Sequence, residues 1–258
     1  ELTKAGWDSL DVGTEMVVNP NEWQTRGKKW QDVRTAINKA KRDGITDVLT
    51  TFKEAPFSVQ TQIREISAQW AGKKALPEMG FTLGGVDELI DSRVRLLYAV
   101  DGNGKVLGVT SWLPTYRDGT IIGWTLDFMR HRTDSVNGIM EFLIARMAER
   151  LRDEGNVEFM SLSAAPLAGM GSNESEHEES EVLRHALQMV ADIMEPAYGF
   201  HSLFRFKLKF HPDEEKVYIC YPDAAKLPQI SLAVAQAYVP SLTPAEAMRF
   251  VRTIAPRD

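Results

Sequence analysis

The hydrophobic period of this chain changes near residue 92, and that change limits the folds open to it. Upstream, apolar residues recur at helical spacing. Trp30, Val33, Ile37 and Ala40 share one arc of a helix that Gly44 stops, and Val59, Ile63, Ile66 and Trp70 share one side of a second, between Pro56 and Gly72. From Arg93 onward three consecutive segments, RVRLLYAV, KVLGVTSWL and TIIGWTLDFM, read as strands, the first two joined by the tight-turn sequence DGNG. Around this switch the pattern predicts a strand at 14–19 closed by Pro20 and a short helix at 86–91. Further along it predicts a helix at 135–153 with Ser135 as its cap and Gly155 past its end, then a buried strand at 157–163. A polar, acidic loop at 171–181, a helix at 180–195, a final strand pair (SLFRFKLKF and KVYICYP) and a helix at 223–238 complete the order.

That order is α/β, with a mixed, mostly antiparallel sheet interrupted and flanked by helices. It is the element order of an acetyltransferase-like (GNAT) fold, an analogy that does not by itself name a chemistry. A chain of 258 residues suits one large domain or two small ones. No apolar run is long enough to span a bilayer. Cys220 is the single cysteine, which excludes an internal disulfide or a cysteine-based zinc site. His131, His177, His185, His201 and His211 show no metal-ligand spacing, and neither a metal nor a cofactor is expected; a Ser–His–Asp triad stays open, though no G-x-S-x-G elbow is present. The first residues read as a helix end and a strand already under way, so a fragment of a longer chain is expected.

Residues 26–45, RGKKWQDVRTAINKAKRDGI, carry seven Lys or Arg against two acids in a chain of net charge −6. With the apolar stripe buried, Lys28, Lys29, Arg34, Lys39, Lys41 and Arg42 fall on the remainder of the helix. Such a surface is either a solvated face or a seat for a polyanion, bound through phosphates without reading sequence.

Four separated stretches now acquire a joint meaning. GKKWQDVRTAINKAKRDGI, LDFMRHRTDSVNGIMEFLIARM, SLSAAPLAG and YGFHSLFRFKLKFHP with VYICYP together resemble the C-terminal catalytic region of the aminoacyl-phosphatidylglycerol synthases, the lysylphosphatidylglycerol synthetase family, over about residues 12–240. The resemblance implies two GNAT-like domains in tandem. Residues 1–25 would be the tail of a truncated first domain, 26–45 a basic connecting helix and 46–258 the second, catalytic domain. It implies transfer of an amino acid, lysine first and alanine second, from aminoacyl-tRNA to a hydroxyl of phosphatidylglycerol or a related lipid. The partners would be aminoacyl-tRNA and anionic phospholipid on the cytoplasmic side of the cell membrane. Lysine addition would make the headgroup cationic and weaken membrane attraction for cationic antimicrobial peptides.

Exchange of one ester for another needs positioning and charge stabilisation more than a covalent intermediate. The resemblance places Asp127 and Arg130 at the reacting centre, where the strand WTLDFM runs out, with Glu65 of IREISAQW nearby. The residues alone leave a structural charge pair open. Arg205, Lys207 and Lys209 alternate with Phe204, Phe206, Leu208 and Phe210, so a strand would put the three cations on one sheet face, where they match a family motif and suit an anionic substrate. Asn137 stands at a helix start that could hold an anion. Two other classes remain open. A CoA-dependent N-acyltransferase suits the element order, but the turn RHRTDSVNGI has one Gly where such enzymes are Gly-rich. A non-catalytic tRNA- or membrane-binding module needs only the cationic helix.

Overall fold

A computed structural model describes residues 2–71, 84–166 and 200–226, with isolated positions beyond. The expected acidic loop at 171–181, the helix at 180–195 and most of the helix at 223–238 lie outside the described residues.

Seven strands form one sheet: β1 (Asp8–Val18), β2 (Thr46–Thr50), β3 (Arg95–Val100), β4 (Val106–Arg117), β5 (Thr120–His131), β6 (Phe159–Pro166) and β7 (Asp213–Tyr221), in the order β2-β3-β4-β5-β6-β1-β7. Every neighbouring pair is antiparallel except β5 and β6, which run parallel and pair only from Gly123–Phe159 to Thr125–Ser161. Beyond Thr125 and Ser161 the two strands continue without pairing and leave a gap in the sheet. β1 hydrogen-bonds to β6 on one side and β7 on the other, so the sheet crosses the boundary drawn from sequence at residue 25. β2 was not foreseen; its five residues between two helices, four of them half-buried, carry too short a pattern to read.

Helices cover both faces. On one face α1 (Gln31–Arg42) and α3 (Ile139–Glu154) pack with Trp112, Trp124, Leu126 and Met160, together with Phe210 just past α4 (Phe200–Leu208). On the other face α2 (Phe57–Ala71) packs through Val59, Ile63 and Ile66 on Leu96, Tyr98, Val109 and Phe128. α1 buries Val33, Ala36, Ile37 and Ala40, close to the predicted stripe. It ends at Gly44, whose φ of 68° lets the Ile45 N–H reach the Ala40 carbonyl at 2.9 Å.

Two local expectations give way to tertiary contacts. Ser135 does not cap α3. The cap is Gly138, at φ 90°, and a Cβ there would lie 2.9 Å from the Ala36 Cβ, so the close approach of α1 selects glycine over a capping side chain. The segment SLFRFKLKF is not a strand but the body of α4. Leu203, Phe206 and Phe210 stand at helical spacing, and Phe206 and Phe210 meet edge to face at 5.5 Å. A period of two and a period of 3.6 both fit so short a run, and the aromatic core under α4 selects the helix.

Asp47 of β2 clamps α3 to the sheet. It is nearly buried and accepts from Arg146 Nε at 2.7 Å and from both Nε and Nη2 of Arg150 at 2.8 and 2.6 Å. Asp47→Ala would leave the half-buried Arg150 guanidinium without its carboxylate and Arg146 with Glu149 alone, and urea unfolding is expected to show a loss of about 2 kcal/mol.

Candidate active site

Asp127 and Arg130 are three residues apart, and on a regular strand they would point to opposite faces. A β-bulge changes this. Thr110 pairs with Met129 and Trp112 with Leu126, so Asp127 and Phe128 together oppose the single residue Ser111. Leu126 and Met129 pack on the α1–α3 side, whereas Phe128 enters the α2 core. The Phe128 N–H donates to Ser111 Oγ at 3.1 Å, replacing the ladder bond lost at the bulge. The extra residue thus turns Asp127, Phe128 and Arg130 toward α2, at the mouth of the gap between β5 and β6.

Arg130 is 4% exposed. Its guanidinium carbon lies 3.3 Å above the Trp70 ring centroid and 4.9 Å from that of Phe128. Stacking engages the guanidinium face and directs its N–H donors along the ring plane, a geometry suited to a carbonyl or phosphate oxygen. Asp127 is held above its ordinary proton affinity by burial first and by the neighbouring Glu88 carboxylate second, against the Gly84 backbone N–H and the Arg130 charge. Gly84 is buried so close that a Cβ on it would lie 2.5 Å from the Asp127 Cγ and nearer still to Oδ2. Next to it the Gly85 N–H donates to Glu88 Oε2 at 2.7 Å. Successive N–H groups of one turn therefore hold two carboxylates.

The other sequence candidates are dispersed. Glu65 is exposed on α2, about 140° around the helix from Trp70 at 100° per residue, and Asn137 is exposed before α3. Because α4 is a helix, Arg205, Lys207 and Lys209 do not share a face: Arg205 is exposed, Lys207 is buried, and Lys209 Nζ pairs with Glu141 Oε1 at 2.7 Å. Lys207 Nζ donates to the Ser163 and Ala164 carbonyls at 3.1 and 2.9 Å, so its charge serves β6. Of the basic helix residues, Arg34 braces its own loop through the Thr25 and Gly27 carbonyls, and Lys39 pairs with Asp43 at 2.7 Å. Lys28, Lys29, Lys41 and Arg42 are exposed. Sequence reasoning missed Gly84, Glu88 and Ser111. The pair Gly84-Gly85 was a visible signal of close backbone approach; nothing local marked Ser111.

The family model described as phosphatidylglycerol lysyltransferase, C-terminal, matches residues 1–221. This chain belongs to that family. An uncharacterised protein of Corynebacterium glutamicum is 41% identical to it over 239 residues, covering 93% of this chain and 30% of the relative. The phosphatidylglycerol lysyltransferase of Bacillus subtilis is 29% identical over 222 residues, covering 84% of this chain and 24% of the relative. The chain thus spans less than a third of these relatives' lengths. Among solved structures, L-PGS from Bacillus licheniformis superposes with a TM-score of 0.71 at 23% identity, covering 92% of this chain and 68% of that one, which establishes the shared fold. Within the lysyltransferase family fold, the bulge-built pair Asp127–Arg130 is the strongest candidate site that the described residues offer.

Proposed function

We propose that the protein transfers a lysyl group from aminoacyl-tRNA to a hydroxyl of phosphatidylglycerol at the cytoplasmic surface of the membrane. Family membership supports the transferase class. The observation that carries the site is the bulge that turns Asp127 and the Trp70-stacked Arg130 to one face beside the β5–β6 gap. In this reading the lipid hydroxyl oxygen attacks the ester carbonyl carbon, the bond to the tRNA ribose oxygen breaks, and the hydroxyl proton passes to that leaving oxygen. The Asp127 carboxylate holds the α-ammonium of the aminoacyl group or orients the attacking hydroxyl. Arg130 faces the carbonyl oxygen as negative charge develops on it, or the lipid phosphate. Residues 1–25 are read as the end of a preceding GNAT-like unit whose last strand completes this sheet. No described helix is long and apolar enough to cross a membrane.

The exposed cations Lys28, Lys29, Lys41 and Arg42 supply the tRNA seat. Changing all four to Glu is expected to raise KM for charged tRNA by about tenfold at low salt, to flatten its salt dependence and to leave kcat in place. The deciding assay gives the intact protein labelled lysyl-tRNA or alanyl-tRNA with phosphatidylglycerol vesicles and follows label into lipid. Label entering lipid from lysyl-tRNA alone supports the reading. No lipid label, together with a clear thermal shift on adding acetyl-CoA, replaces it with the N-acyltransferase class.

A further inference from the structure

We propose that Glu15 is a positioning residue which, through Ser161 and Lys207, holds a strained turn of β6 at Ser163 as the wall of the gap across from Asp127. The inference rests on the reading of the β5–β6 gap as the reaction site. Ser161 is the last β6 residue paired to β5, opposite Thr125. Asp127 is two residues beyond that rung on β5 and Ser163 two residues beyond it on β6, so both border the opening.

Ser163 has φ 70°, a region that residues with a side chain enter rarely and at a cost. Along a regular strand successive carbonyls point to opposite edges. Here the left-handed residue redirects the chain so that the Ser163 and Ala164 carbonyls both accept from one ammonium, Lys207 Nζ, at 3.1 and 2.9 Å. On the other side of the turn the Ser163 N–H donates to Ser161 Oγ at 2.9 Å, and Ser161 Oγ donates to Glu15 Oε1 at 2.5 Å. Met16 and Leu162 pack on the α1–α3 side, so Glu15 and Ser161, each one residue out of phase, lie on the face that carries Arg130.

Lys207 is 3% exposed, and burial pushes its amine down to about 8 against the opposing pull of Glu15. Glu15 is the charged group that faces it from β1; β6 offers it only carbonyls, and on its own helix Arg205 is exposed, while Lys209 just past that helix is engaged by Glu141 of α3. A buried cation and a left-handed serine both oppose folding, and their coincidence at the open end of β6 is the pattern of strain kept for a site. Nothing in this network touches the reacting atoms; it sets where the wall stands.

The test uses the intact protein in the lysyl-tRNA and phosphatidylglycerol vesicle assay, with Asp127→Asn as the control for the site itself. Ser163→Gly keeps the left-handed turn and is expected to retain kcat within about twofold, whereas Ser163→Val cannot adopt it and is expected to lose about tenfold in kcat at unchanged KM. Glu15→Gln is expected to lose kcat by a similar factor. Wild-type kcat should fall as pH rises through about 8, where the Lys207 amine loses its proton, and Lys207→Arg should move that fall to higher pH. Should Ser163→Val fail to fold, Glu15→Gln and the Lys207→Arg pH profile decide. Unchanged kcat in Glu15→Gln, or an unmoved alkaline limb in Lys207→Arg, overturns the inference. If Asp127→Asn is inactive at the same time, only the inference is lost; if Asp127→Asn is also fully active, the reading of the gap falls with it.

Discussion

Asp127→Asn in the intact protein is expected to lower kcat for lipid aminoacylation by about 10²- to 10³-fold, the range seen when one group that orients or stabilises a reacting centre is removed. The change is nearly isosteric, so it leaves the bulge and the Ser111–Phe128 bond in place. It should not destabilise the fold at neutral pH, and the sign follows from the titration. Burial and Glu88 raise the Asp127 proton affinity above its usual 3.8, so between that value and the raised one the folded chain binds more protons than the unfolded chain. The stability that Asp127 contributes is therefore present in acid and lost as pH rises through the raised value. At neutral pH its carboxylate is held at a disadvantage, and an amide removes that disadvantage. Kinetics and thermal melting on the same sample give the check. A variant that loses activity and melts no lower than wild type has lost chemistry; one that keeps kcat removes Asp127 from the mechanism. The wild-type rate should also show an acid limb above the ordinary aspartate range.

Gly84→Ala is expected to lower kcat by about 10²-fold, the penalty for displacing a reacting group by about 1 Å. Gly84 does not occupy the left-handed region, so alanine is compatible with the backbone there. The collision is instead with the Asp127 carboxylate, whose Cγ would lie 2.5 Å from the new Cβ. Asp127 must move, and the Gly84 N–H it accepts from is lost to it or misdirected. Gly85→Ala is the matched control. Its Cβ would meet Glu88 Oε2 at 2.9 Å, the far end of an exposed, flexible side chain that can swing away. Steady-state kinetics of the two variants should differ by more than an order of magnitude, although the substitution is the same and the positions are adjacent. Equal activity would mean that the turn does not set the carboxylate.

The elements with long, regular patterns were legible: the stripe of α1, the hairpin of β3 and β4, and the apolar helix α3 with Gly155 at its end, where φ is 64°. Asp127 and Arg130 were singled out from the stretch LDFMR, although β5 does not run out there but continues to His131. Their shared face was not legible, because three-residue spacing on a strand argues against it and only the register against β4 reveals the bulge. Arg34 illustrates a different limit. Its charge reads like its neighbours', yet two backbone carbonyls from a loop that bends back on α1 claim it.

The sequence by itself determined the α/β class, the family and the helix with a cationic surface, and it nominated the carboxylate and guanidinium of the candidate site. Those follow from composition, period and motif, which are local and survive translation along the chain. Tertiary structure alone decided which of α4's cations face solvent, why a glycine caps α3, and how Gly84, Trp70 and the end of β6 close around the gap. Each of these depends on a contact between segments far apart in sequence. Packing against such a partner can exceed the small conformational preferences from which a local reading is made.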